Sequence, residues 1–226
     1  MKIYQVGGSV RDKMLGRVSK DLDYAVEAGT FEEMRAEIQA RGYKIFLETP
    51  KYLTIRAHGP DGPADFSLCR RDGIYLDGRH PEKVEAATIE EDLARRDFSM
   101  NAIAVDIDTG EVLDHHCGQA DIEAKVLATV GKPEDRFGED ALRAIRGVRF
   151  LVCLGFTANV KTLSAIKAMK VSDFSGVSTD RIRDELFKMF QQDTSTSLYW
   201  MVEFPELVKL MCERGVWLRP TTEERK

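Results

Sequence analysis

Two periodicities divide the chain. Up to residue 113 short apolar runs are separated by turn residues, and from residue 138 onward apolar residues recur every three to four positions. KIYQV (2–6) predicts a first strand, broken by Gly7 and Gly8, with a helix running to Leu15 and stopped at Gly16. In DLDYAV (21–26) Leu22, Tyr24 and Val26 share one face, and Asp21, Asp23 and Ala25 the other, which predicts a second strand. Residues 30–41 carry an amphipathic helical pattern, with Thr30 placed as N-cap and Gly42 just past the end. Strands are predicted from Tyr52 to Ala57 and from Ala64 to Cys69, about a GPDGP turn. Polar residues 71–88 predict a mobile loop, Ile89 to Asp97 a helix, and AIAVDID (102–108) a strand that turns at Asp108–Thr109–Gly110 into Val112–Leu113. The later periodicity predicts helices over 138–153, 158–169, 179–191, 195–203 and 205–213. The expected fold class is therefore α+β: a domain over 1–136, built on a small mixed sheet with helices on one side, then an all-α domain over 137–226.

Composition narrows this picture only a little. The 226 residues are 43% hydrophobic and 31% charged, as in ordinary globular proteins. Apolar runs are too short for a transmembrane helix, and MKIYQVGGSV has no signal-peptide core, so no membrane partner and a cytoplasmic location are expected. Cys69, Cys117, Cys153 and Cys212 form no CxxC pair, which argues for reduced, mostly buried thiols and against zinc or a disulfide framework. The net charge of −5 excludes a protein that coats long nucleic acid by bulk attraction. It leaves room for an enzyme that grips an RNA end with a few arginines.

The candidate chemistry begins with GGSVRD (7–12) and DLD (21–23). Glycines between a strand and a helix let backbone approach a phosphate, and Arg11 adds a fixed positive fork. Asp21 and Asp23, two apart on a strand, project from one face and repel each other unless a cation neutralises them. Mg²⁺ suits one or two carboxylates plus substrate phosphates. A pair of such ions about 4 Å apart activates an attacking hydroxyl and holds a triphosphate. Asp65 is the candidate third carboxylate.

Two further segments carry mixed charge. In EEDLARRDFSMNAIA (90–104), Arg95 and Arg96 suit a triphosphate, and Asp97 accepts from ribose hydroxyls. In GEDALRAIRGVRF (138–150), Leu142, Ile145, Val148 and Val152 form an inward stripe, while Asp140, Arg143 and Gly147 share another face of the same helix. An aspartate beside an arginine offers acceptors and donors that match the pairing edges of adenine or cytosine. Gly147 leaves room for a flat ring, and a mid-helix glycine that costs about 1 kcal/mol calls for such a reason.

GGSVRD, DLDYAV, RRDFSMNAIA, LDHHCGQADI (113–122), GEDALRAIRGVRF and VSTDRIRDEL (177–186), in this order, closely resemble the signature segments of bacterial CCA-adding enzymes. These are tRNA nucleotidyltransferases of the class that also holds bacterial polyadenylating polymerases. The match runs from residue 1 to about residue 190. His115 stands where the family usually has proline, and Ser99 and Met100 where Thr and Ile are commoner. The resemblance implies a nucleotidyltransferase-type head followed by a helical neck, with Mg²⁺ as cofactor and ATP, CTP and a tRNA 3′ end as partners. It implies that Asp21 and Asp23 hold the metal, that Gly8 and Arg11 meet the nucleotide's phosphates, and that Arg96 and Asp97 hold its phosphates and sugar. Asp140 and Arg143 would select the base, with Arg146 nearby. Family members usually continue with body and tail domains, for which little follows residue 213. Partial CC or A addition, polyadenylation, or a catalytically silent RNA-binding module remain alternatives, and oligomeric state stays open.

Overall fold

The computed structural model describes residues 1–19, 21–72 and 84–216. These form two compact units, divided between Gly131 and Lys132. None of their helices is long and apolar enough to cross a membrane.

The first unit is a seven-stranded sheet in the order β3-β4-β5-β2-β1-β8-β9. Its strands are β1 (Lys2–Val6), β2 (Leu22–Glu27), β3 (Lys44–Thr49), β4 (Thr54–Gly59), β5 (Gly62–Leu68), β8 (Ala104–Asp106) and β9 (Val112–Leu113). β2 and β5 are parallel and the other neighbouring strands of this sheet antiparallel, so the sheet is mixed, as expected. A separate hairpin joins β6 (Arg70–Asp72) to β7 (Val84–Ala86). Its strands take up residues 71–72 and 84–86 of the polar stretch 71–88 that was expected to be loop throughout, and residues 73–83 of that stretch lie outside the described residues.

The two faces of this sheet have different fates. Ile3, Tyr24, Val26, Ile55, Ala57, Ala64, Phe66 and Leu68 pack against Met34 and Ile38 of α2 (Phe31–Ala40), which Thr30 caps through the Glu33 N–H. On the opposite face Tyr4, Val6, Ala25 and Ala104 pack against Ile89 and Leu93 of α3 (Ile89–Ala94). Helices therefore cover both faces, not one, because β1 and β2 are apolar at successive positions rather than at alternate ones. On the α3 face, registration sets Asp23 opposite Asp65 and Asp65 opposite Arg56, a polar row across three strands. α1 (Gly8–Met14) follows β1, and α4 (Gly118–Ala124) comes late in the unit.

The second unit holds α5 (Pro133–Glu139), α6 (Leu142–Leu154), α7 (Val160–Ala168), α8 (Thr179–Gln192), α9 (Thr194–Glu203) and α10 (Pro205–Glu213). α6 packs on α8 and α9, burying Leu142, Ile145, Val148 and Val152 as the periodicity predicted. The helix predicted over 138–153 is broken. Pro133 starts a separate helix, and Asp140 is extended, its carboxylate accepting the Leu142 N–H at 3.0 Å. An aspartate that bonds nearby backbone competes with the helix at that point. Two other expectations change. β3 escaped prediction because Ile45, Phe46 and Leu47 run together without alternation, over a bulge. The cysteines are free, but only Cys69 is buried, whereas Cys117 and Cys212 are exposed.

Candidate active site

Gly7 ends β1 with φ +71°, a left-handed conformation that glycine tolerates. A Cβ there would lie 3.3 Å from Arg96 Nη1 and 3.7 Å from Asp23 Oδ2. The turn therefore brings an arginine of the 95–97 segment and a carboxylate of β2 to one place. Gly8 opens α1 beside the Arg11 guanidinium, 3.4 Å from its own ideal Cβ position. Arg11 is nearly buried, held by Asp12 at 2.8 Å and by the Asn101 side-chain oxygen at 2.8 Å.

Asp23 sits under electrostatic load. Burial pushes its carboxyl above the usual carboxylate range, and neighbouring Asp65 and Asp21 push the same way. Arg96 and Arg11 pull it back without cancelling the rise. A carboxylate destabilised by burial and by two like charges has an evident use for a cation.

Asp65 is bound by Arg56, Oδ1 to Nε at 2.9 Å and Oδ2 to Nη2 at 3.0 Å. Both side chains are about half exposed, at 45% and 56%, so the pair contributes at most about 1 kcal/mol. A divalent ion or a phosphate outcompetes such a bridge easily. Among the described residues no group of three or more His, Cys, Asp or Glu stands ready to hold a metal. One or two carboxylates are as many as a protein usually gives Mg²⁺, the remaining oxygens coming from substrate and water.

Arg96 and Asp97 are oriented by residues that sequence reasoning passed over. Arg96 lies on Asp92 Oδ2 (Nη2 at 2.9 Å) and on the Asn101 carbonyl (Nη1 at 3.3 Å). Asp97 is buried, and its Oδ1 accepts the Phe98 N–H at 2.8 Å and the Asn101 amide at 3.0 Å. Asn101 thus touches Arg11, Arg96 and Asp97 together. The Asp92–Arg95 and Asp92–Arg96 spacings, i,i+3 and i,i+4 on a helix, were the available signal.

The second unit places Asp140, Arg143 and Arg146 on different partners. Asp140 precedes α6 and does not share its face with Arg143 and Gly147, contrary to the helical projection. Its Oδ2 accepts Arg181 Nη2 at 2.7 Å, while Arg143 Nη1 meets Glu139 at 2.6 Å. Arg146 stands 3.7 Å from Glu185, a buried carboxylate that also binds Arg149. Gly147 is buried within α6.

A mixed sheet with flanking helices, a glycine turn after β1 and facing aspartates on β2 and β5 make a nucleotidyltransferase-type head. The chain belongs to the family described as the poly A polymerase head domain, whose model matches residues 3–128. A curated relative, the CCA-adding enzyme of Bacillus subtilis, is 40% identical over 193 residues, covering 83% of this chain and 46% of the relative. The crystal structure of the Bacillus stearothermophilus CCA-adding enzyme in complex with CTP superposes with a TM-score of 0.72 at 31% identity, over 95% of this chain and 48% of that one. The Thermotoga maritima CCA-adding enzyme complexed with tRNA gives a TM-score of 0.77 at 25% identity, over 97% of this chain and 49% of that one. The chain spans about half the length of the relatives it matches.

Proposed function

We propose that this chain transfers nucleotides from CTP and ATP to the 3′ end of a tRNA, with residues 1–136 as catalytic head and 137–226 as helical neck. The RNA 3′-hydroxyl attacks the α-phosphate, a new phosphodiester bond forms, and the bond to the β-phosphate breaks with release of pyrophosphate. The observation that carries the reading is Asp23, strained by burial and by Asp65 and Asp21 beside the Gly7 turn. Mg²⁺ bound there would supply Lewis-acid stabilisation of the attacking and leaving oxygens.

The chain's own residues do the rest. Asp21 and Asp23 provide hard oxygen ligands, and Asp65, once freed from Arg56, a third carboxylate. Arg11 and Arg96 face the triphosphate beside the open backbone of Gly8, and Asp97 accepts from the ribose. Asp140 and Arg143, with Arg146 near by, present the acceptor and donors that choose the base. No covalent enzyme intermediate is needed.

The deciding experiment incubates the pure protein with Mg²⁺, labelled CTP and ATP, and a tRNA lacking its CCA end, and resolves products by length. Three added nucleotides are expected, and Asp21→Ala abolishes them. Addition of only C, only A, or a long A tail identifies a partial enzyme or a polyadenylating polymerase instead. No incorporation at any Mg²⁺ concentration refutes catalysis by this chain and leaves an RNA-binding module.

A further inference from the structure

Asp92 lies on α3 and is 1% exposed. Its two oxygens divide their work. Oδ2 accepts Arg96 Nη2 at 2.9 Å and Nε at 3.3 Å, so one edge of that guanidinium is fully engaged. The remaining nitrogen, Nη1, donates to the Asn101 carbonyl at 3.3 Å and is the one beside Gly7. Oδ1 accepts Arg95 Nε at 3.1 Å and the Arg70 backbone N–H at 3.4 Å, while Arg95 Nε also reaches the Arg70 carbonyl at 3.2 Å. Burial raises the Asp92 carboxyl, but Arg96 and Arg95 outweigh it and leave it below the usual range.

A helix of this length does not need such a group to pack. Ile89 and Leu93 supply its apolar contacts, and the Thr88–Glu91 capping box satisfies its start. A buried carboxylate between two guanidiniums is a costly way to gain stability, since apolar residues of similar size usually do as well. It does gain orientation. Arginine is long and flexible, and a two-point contact on one edge leaves the other edge aimed in a single direction.

We infer that Asp92 is a positioning residue for nucleotide binding: it holds Arg96 against Gly7 and Asp23 so that the guanidinium meets the incoming triphosphate in one orientation. The inference rests on the proposed nucleotidyl transfer for its substrate. Asp92 itself touches no reacting atom.

The test uses Asp92→Asn, which keeps the shape and removes the charge and one acceptor oxygen. CTP affinity is read by equilibrium titration with Mg²⁺ and no RNA, and incorporation by initial rates against nucleotide and against RNA. The expected result is a loss of about 10- to 100-fold in CTP affinity and in kcat/KM for the nucleotide, the size typical of a lost supporting contact. KM for RNA stays at the wild-type value. In an Arg96→Ala background, Asp92→Asn adds no further loss, because contacting residues are non-additive when one acts through the other.

A multiplicative loss in the double variant, or a CTP affinity in Asp92→Asn equal to wild type, overturns the inference. So does a loss in which RNA and nucleotide KM move together. If Asp92→Asn has no cooperative unfolding transition, Asp92→Glu, which keeps the charge and displaces Arg96, is read by the same criteria. A wild-type protein that binds CTP but incorporates nothing refutes the transfer reading while leaving the affinity test of Asp92 intact.

Discussion

Asp23 of the sheet unit and the carboxylates of the helical unit are held in opposite ways. In the sheet unit Asp21, Asp23 and Asp65 crowd together, and the arginines near Asp23 do not offset its burial and its like-charged neighbours. In the helical unit each notable carboxylate has a close guanidinium: Asp140 with Arg181, Glu139 with Arg136 and Arg143, Glu185 with Arg146 and Arg149. Charge left uncompensated marks a place that awaits a cation, whereas charge paired internally marks a scaffold. The same residue type should therefore fail differently when removed from each unit.

Asp23→Asn makes the largest contrast. Metal-assisted stabilisation of the transferring phosphate is worth several kcal/mol, so turnover falls by on the order of 10³ or more. Circular dichroism stays native and the unfolding midpoint does not fall, since the change relieves repulsion. Loss of activity together with loss of fold would mean that Asp23 is structural and would erase the contrast between the units.

Glu185→Ala is the counterpart in the helical unit. Glu185 is nearly buried, with its side chain 8% exposed, and it holds Arg146 and Arg149 on α6 from α8. Removing one partner of such a cluster strands the other charge and costs about 3 kcal/mol. Chemical denaturation should show a lower midpoint at constant slope. A loss below about 1 kcal/mol would place the cluster with exposed ion pairs, and the scaffold reading would fail.

How much of this was legible beforehand depends on how local the cause is. The face that Asp23 takes could be read because strand period two is a local rule, and its neighbours Tyr24 and Val26 fix which side faces the core, whereas Asp21, expected on the same strand face, lies one residue before β2 begins at Leu22. Facing of Asp23 and Asp65 depends on β2 and β5 pairing in parallel across 41 intervening residues, which no local pattern encodes. Asp92 reads in sequence as one of three acidic residues in the first turn of α3, a common partner for the helix dipole. Only its burial under Arg95 and Arg96 separates it from Glu90 and Glu91. The joint face of Asp140, Arg143 and Gly147 was misdrawn for the reverse reason. A helical projection assumes the helix continues, and the Asp140 carboxylate ends that assumption by taking the Leu142 N–H.

Arg143→Ala should have a middling effect, and on choice rather than speed. Arg143 Nη1 is engaged with Glu139, so reading a base requires an exchange of partners, and the differential contact is worth roughly 1–2 kcal/mol. The ratio of C to A incorporation at a fixed primer end should shift about tenfold. A uniform fall for both nucleotides at an unchanged ratio would move Arg143 from base selection to general support.

The smallest expected effect is also the sharpest in sign. The Asp23 carboxyl titrates above its unfolded value, so between the two values the folded protein binds more protons than the unfolded chain. Its ionisation therefore lowers stability as pH rises through that window, and the deficit persists at neutral pH. Asp23→Asn removes the titration, so in metal-free buffer the variant should unfold at a slightly higher temperature than wild type at pH 7. The difference should shrink to its protonated-state value as pH falls below the ordinary carboxylate range. Adding Mg²⁺ at pH 7 should raise the wild-type midpoint and leave the variant's nearly unchanged, because a ligand that binds only the folded state stabilises it by mass action. A wild-type midpoint that rises with pH relative to the variant would reverse the sign, and Asp23 would then be as well compensated as the carboxylates of the helical unit.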